Sequence, residues 1–365
     1  MKKLVFRNFL KDVLIFFIMS IIIMGLIVWT LQAVNYFDFV TEDGHGLKVY
    51  FSYTLLNFPK IIHRIFPFIF FVSLFFTIIK YENNNQLNIF WLNGISKIQF
   101  MNIIIIFSFI LMLIQVVLGS YLSPMSQLKA RNLIKNSNID YFTNLIKEGK
   151  FINAVNGLTI FIEEKDSKNF SNIFIEDTTQ VVPRTILAKD GIISNNKNER
   201  KFILLNGKVL NNDKNKINIF EFEQINFNLK SFGSNSITIP KIQEVNVKYL
   251  LGCLKFIDYS EDRKCEDENS SEEIKQELLK RFFKPIYIPL IGMLCGFLLI
   301  SGKYKQNYKK IKKYIFLLIL FLIVISETSL RYSASSSTSL TIYFLTPFLL
   351  FLIFYYFYTN KINHV

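Results

Sequence analysis

The chain has 365 residues, 51% of them hydrophobic and 16% aromatic, and carries a formal net charge of +14. Its apolar residues gather in blocks of 17 to 25, the length that crosses a hydrocarbon core of roughly 30 Å, which excludes an ordinary soluble protein. Nucleic acid is a poor explanation of the charge, because residues 122–280 hold 23 Lys+Arg against 22 Asp+Glu and nearly all the excess lies in the apolar blocks and their short loops.

The first block, Val13 to Ala33, stands behind Lys2, Lys3, Arg7 and Lys11. It is too long for a signal-peptide core and no small-residue cleavage pattern follows, so it reads as an uncleaved span with its N-terminus in the cytoplasm. Residues 34–58 set Asp38, Glu42 and Asp43 against Lys48, a loop poor in positive charge and therefore expected outside. The second block, Ile61 to Ile79, returns inward, a polar link occupies 80–97, and the third block, Ile98 to Leu122, leads out again.

Beyond it the period changes from helical to two, as in Ile225, Phe227 and Leu229 alternating with Asn226 and Asn228. Strands are predicted at Leu158–Glu163, Asn172–Asp177, Thr185–Ala188, Ile192–Ile193, Phe202–Leu205, Val209–Leu210 and Ile217–Phe222. Hairpin turns are predicted at Lys189-Asp190-Gly191 and Asn206-Gly207. Many short strands with such turns argue for an antiparallel sandwich or jelly roll. Residues 258–277 are acidic and polar, and are expected to lead as a helix into the fourth block.

Three more blocks close the chain, Phe282 to Ile300, Tyr314 to Leu330 and Leu340 to Tyr358. Between the first two, Lys303, Lys305, Lys309, Lys310, Lys312 and Lys313 stand with no acid among them, which pins that loop to the cytoplasm. Both arguments give one topology: six spans, cytoplasmic termini, and residues 123–280 outside. Pro67, Pro285, Pro289 and Pro347 fall inside spans and are expected to bend or loosen them.

The sequence shows no catalytic chemistry. His45, His63 and His364 form no H-E-x-x-H and no Cys-His set at zinc spacing, so neither metal nor cofactor is expected. Gly296 to Lys303 departs from a phosphate loop, with five residues between its glycines and Tyr304 where a Ser or Thr would hold magnesium. ATP, if used, must be bound by another chain. Cys253 and Cys265 share the external domain and their pairing is left open, while Cys295 reads as packing within a span.

Two features remain as candidate sites. In the link, Leu87, Phe90, Trp91 and Ile95 make a short helical stripe that Gly94 can end, suited either to resting in the interface or to inserting into a partner. Near the outer end of span five, Glu327 and Arg331 lie four apart on one helix face, an ion pair or a polar wall of a substrate cavity. Lys60, His63 and Arg64 begin span two at the same level, and Lys60 and Arg64 with Arg331 offer cations to an anionic headgroup, or anchor helix ends.

The whole chain resembles the permease subunits of the lipopolysaccharide-export ABC transporter, LptF and LptG. The resemblance rests on the three-plus-three spans around a β domain, and on Asn84-Asn85-Gln86-Leu87 through Gly94-Ile95-Ser96. Ser123-Pro124, Lys147-Glu148-Gly149-Lys150-Phe151 before Gly157-Leu158-Thr159-Ile160, and Glu277 to Arg281 add to it. Trp29-Thr30-Leu31-Gln32 and Gly44 to Leu47 look more like LptF. What the resemblance implies is residues 1–122 as spans one to three with a coupling helix at 83–96, 123–280 as a periplasmic β-jelly-roll domain, and 281–365 as spans four to six. It further implies a bacterial inner-membrane location, a sister permease (LptG for an LptF), a cytoplasmic LptB ATPase dimer held through Glu82, Gln86, Leu87, Phe90, Trp91 and Gly94, and LptC with its periplasmic bridge. Lipopolysaccharide would be the substrate and spans one and five the lateral gates. One departure is Gln86, where the family pattern has Glu. The rival reading is a membrane-anchored sensor or enzyme with an external ligand-binding β domain.

Overall fold

A computed structural model of the chain describes residues 2–37, 40, 46–145, 148–155, 157–166, 169–178, 183–196, 199–213, 216–228, 240–254, 268–300, 307–334 and 336–363. It divides into a helical unit, residues 1–32, 56–128 and 241–365, and a β unit, residues 33–55 and 129–240.

Six helices are long and apolar enough to cross a membrane. The first is α1 (Lys2–Asn35); α2 (Leu47–Leu56) and α3 (Phe58–Asn83) make the second, with α2 where a loop was expected. The short α4 (Gln86–Leu92) precedes α5 (Lys97–Val117), which runs through a π turn, Leu118–Leu122, into α6 (Ser123–Leu145). After the β unit come α7 (Val247–Leu254) and α8 (Glu268–Phe282). α8 continues through a 3-10 turn, Lys284–Ile286, into α9 (Tyr287–Gly296), and α10 (Tyr308–Tyr332) and α11 (Ser337–Asn363) follow. The helices overrun the apolar blocks because a helix satisfies its own backbone whether its side chains meet lipid or water. Pro67 and Pro347 lie inside continuous helices, whereas Pro285 sits in the break between α8 and α9.

The centre of the helical unit is α3, α5 and α9. Every residue of α9 is buried, and Phe70, Phe71, Leu74, Phe100, Met101, Ile104, Ile288 and Met293 share its core with no exposure. Gly292 and Gly296, four apart on α9, face Ser108 and Met101 of α5 so closely that neither position has room for a Cβ. Between helices in lipid, where hydrophobicity gives little preference for association, small residues that let backbones approach supply the packing. Cys295 is free and buried there; Cys265, whose pairing with Cys253 the sequence left open, lies outside the described residues.

The β unit holds one antiparallel sheet of six strands in sequence order, β1 (Lys150–Val155), β2 (Leu158–Asp166), β3 (Asn169–Asp177), β4 (Arg184–Asn196), β5 (Glu199–Asp213) and β6 (Lys216–Asn228). The two predicted hairpin turns are corrected: Lys189-Asp190-Gly191 lies inside β4 and Asn206-Gly207 inside β5, opposite each other. The reason is a line of irregularity across the sheet. Cα pairing skips Glu163, Asn172, Lys189, Asn206 and Glu223 on five successive strands. Asn172 and Asn206 both take φ of 51° there, a left-handed conformation that asparagine tolerates.

On either side of the line the inward residues are three apart, not two, as in Phe170 and Ile173 or Leu204 and Gly207. The pairing register is the same on both sides of the line, and each of these five strands keeps its apolar face inward. Ile173 and Ile186 from one side and Phe170, Phe202 and Phe227 from the other therefore close over one core. Gly207 has no room for a Cβ against the Leu187 carbonyl, and Gly191 none against Ile173 and Phe202.

Candidate functional site

Two polar regions lie at opposite ends of α3, whose 26 residues span about 39 Å at 1.5 Å each. At its N-terminal end, Lys60 and Arg64 are one turn apart, and Lys60 stands within electrostatic reach of Arg64, Lys241, Lys280 and one acid, Glu244. The Lys280 ammonium lies 3.0 Å from Glu277. Lys284 forms an ion pair with Glu327 of α10, and Arg64 and Lys280 also act on that carboxylate.

Of the two readings left open for Glu327 and Arg331, the ion pair along α10 is not formed: Glu327 turns across to Lys284, and Arg331 keeps an exposed side chain while its carbonyl accepts from Gln276 at 2.9 Å. Lys60, Arg64 and Glu327 are brought together, and Arg331 stands apart from them. Lys280 and Lys284 complete the group. Their signal in the sequence was their position at the start of span four, the same level as the start of span two.

Arg281 ties this region to the segment leaving the β unit. Only 1% exposed, it donates Nε to Glu277 at 2.9 Å, Nη1 to the Val245 carbonyl at 2.9 Å and Nη2 to the Gln243 carbonyl at 3.0 Å. A buried guanidinium is tolerated because its fixed fork finds a carboxylate and backbone acceptors together. Beside it, the His63 ring packs on Gly119 of the π turn, where a Cβ would lie 2.5 Å from Cε1. Gln115 donates to the His63 carbonyl at 3.4 Å, and His63 Nδ1, Gln115 Oε1 and Ser120 Oγ are buried without a hydrogen-bond partner. π turns are frequently found at functional sites.

At the other end lies the link. Asn85 takes φ of 57°, which ends α3 and turns the chain into α4; Gly94, at φ of 68°, ends α4; Ser96 and Gln99 form a capping box that starts α5. Asn85, Gly94, Ser96 and Gln99 therefore each shape the backbone of the link. Leu87 and Phe90 are buried and Trp91 half-buried, packed on the helical unit itself: Phe90 meets Phe6, Phe9 and Phe100 at ring distances of 5.7, 6.4 and 5.0 Å. The stripe expected to meet a partner is turned inward, and the side left open is Asn88, Ile89, Leu92 and Asn93, with Leu92 87% exposed.

Gln86 Oε1 is buried and unpaired, a place where an amide costs far less than a carboxylate. Glu82 is half-buried near Tyr308 of α10, and Gly94 is exposed. Lys97 then donates to the Ile300 carbonyl at 3.3 Å and accepts at its own carbonyl from Tyr358 at 3.0 Å, joining the link to spans four and six. Among the described residues no three His, Cys, Asp or Glu side chains come together as a metal site would need.

Comparison with known proteins gives this arrangement a family. A family model described as "Lipopolysaccharide export system permease LptF/LptG" matches residues 7–361. An uncharacterized protein of Rickettsia prowazekii (strain Madrid E), RP871, is similar to the chain at 24% identity over 252 residues, 67% of this chain and 69% of its own length.

Proposed function

The chain belongs to the LptF/LptG family of lipopolysaccharide export permeases, and from that premise we propose that it is one permease of an ABC transporter that draws lipopolysaccharide from the inner membrane and hands it to a periplasmic β-domain bridge. It is a multi-pass membrane protein and a transport subunit, not an enzyme. The observation that carries the reading is that one match covers both sets of three spans, the link and the β unit.

In this reading, residues 1–122 supply spans one to three with the coupling helix at 83–96, 123–280 the periplasmic domain, and 281–365 spans four to six. Both termini and the lysine-rich loop face the cytoplasm. The partners are a sister permease, an LptB-type ATPase dimer, LptC and its bridge, and the chain takes the LptF role on the strength of Trp29-Thr30-Leu31-Gln32. Gly44 and His45, which also support that role, lie outside the described residues.

The physics of the task suits the parts. Extracting a multi-acyl lipid exposes methylene groups at about 0.8 kcal/mol each, so the tails need apolar shelter while ATP-driven motion expels them. Lys60, Arg64, Lys280 and Lys284 then receive phosphates at the outer level. Motion enters at α4, whose aromatic underside and Lys97 pass it to spans one, three, four and six.

Copurification tests this. The full-length chain should bring a nucleotide-binding subunit from membranes and lose it when Ile89 and Leu92, on the open side of α4, are both changed to Asp. A chain that comes out alone is the sensor or enzyme of the rival reading.

A further inference from the structure

A groove of about 600 Å³ runs between α1 and α5 at the link end of the helical unit. One edge of it is Lys3, Arg7 and Lys11, successive i, i+4 positions on one face of α1 that reach along about 12 Å of helix. Phe6, Leu10 and Leu14 of α1, which run beside them on the same stretch of helix, and Ile103 and Phe107 of α5 line the rest. No carboxylate lines it, and the nearby Asp12 is engaged elsewhere, accepting from Tyr81 at 2.6 Å. The three cationic side chains are exposed and line the groove with their stems, so the groove itself is apolar and carries cations along one edge, the two surfaces an anionic amphiphile needs side by side. Topology alone asks only for basic residues at this end of α1; it does not ask that three share one face beside an apolar cleft.

We propose that this groove is a binding site for an anionic glycerophospholipid, with its phosphate on Lys3, Arg7 and Lys11 and one acyl chain against Leu14, Ile103 and Phe107. Basic clefts between spans are a recurrent way to hold such headgroups, and long cationic side chains reach up to the interface while their stems cover apolar surface. The site lies beside Phe6, which also packs on Phe90 of α4, so a bound lipid would buttress the base of the link. That the leaflet is the cytoplasmic one rests on the topology proposed above; the chemistry of the groove does not.

The test uses the full-length chain in phosphatidylcholine vesicles containing phosphatidylglycerol, with a photoactivatable analogue of either lipid in trace amount. Phosphatidylglycerol should label peptides 1–14 and 97–110 in preference to phosphatidylcholine, and the preference should fall by about fivefold for each cation removed in K3Q, R7Q and K11Q. The exchange R7N/N8R keeps the net charge and moves one cation a third of a turn away from the groove, and should lose about as much as R7Q. Equal labelling by the two lipids, or an exchange variant that labels like the parent, overturns the proposal. So does labelling of those peptides by a partner protein in place of lipid. Protection of an N-terminal cysteine from an impermeant reagent on the cytoplasmic side would overturn the leaflet assignment alone.

Discussion

Spans two, three and four form a packed post, whereas one, five and six stand loosely around it. In the most apolar stretch of each helix, 61%, 39% and 72% of residues are buried in the first group and 22%, 22% and 11% in the second. The packed group is held by glycine-lined contacts and closed aromatic clusters. The loose group presents Ile23, Ile27, Phe321, Val324, Leu352 and Tyr356 to its surroundings. In lipid such exposure costs little, so burial marks where the fold is fixed and exposure where lipid, substrate or a sister subunit meets the chain. A permease needs both, a rigid frame to carry force and surfaces free to part.

Substitutions at the post should therefore cost far more than equal ones outside it. Arg281→Met leaves Glu277 and the Val245 and Gln243 carbonyls without their buried donor and should destabilise by about 3–5 kcal/mol, read as a large fall in thermal unfolding temperature of the detergent-purified chain. Gly292→Val forces a side chain into Ser108 and should cost about 1–3 kcal/mol. Leu352→Ala, on the exposed side of α11, should stay within about 0.5 kcal/mol by the same assay; a cost matching Gly292→Val would erase the distinction.

The β unit offers the smallest effect. Lys208 lies 2.8 Å from Glu221 and holds that carboxyl below its ordinary range, chiefly through their hydrogen bond. A carboxyl depressed in the folded state stabilises above its unfolded pKa, about 4.3 for Glu, and loses that contribution as pH falls through the lower folded value. Because the pair is exposed, E221Q should shift only the acid limb of the pH–stability curve, and only slightly. A shift confined to neutral pH would contradict this sign.

The sequence showed these two regions unequally. The spans were legible because crossing length is written in apolar runs, and the helix expected over 258–277 is met in its described part by α8, but α2 and α6 were missed because their sequences carry no amphipathic period. In the β unit, Lys189-Asp190-Gly191 and Asn206-Gly207 carried hairpin chemistry, yet both lie within strands, and the left-handed conformation that suits a tight turn is taken by Asn206 inside β5. Only the neighbouring strands decide between turn and strand. At the site, Lys60 and Arg64 were found by level in the membrane, whereas the i, i+4 rule paired Glu327 with Arg331 because it sees one helix at a time. Lys284 reaches Glu327 from another helix. Likewise the apolar stripe of α4 was correctly drawn and its direction misjudged: Leu87 and Phe90 serve the chain's own core, and Leu92 faces out.

The central claim is that, of the loose spans, one and five border a lipopolysaccharide path, and site-specific photocrosslinking in cells tests it most directly. A photoreactive residue in place of Ile27 in span one or Phe321 in span five should capture lipopolysaccharide, in amounts that change when the transporter's ATPase is blocked, while one in place of Leu352 in span six should not. Capture equal at all three positions, or at none, would contradict the account.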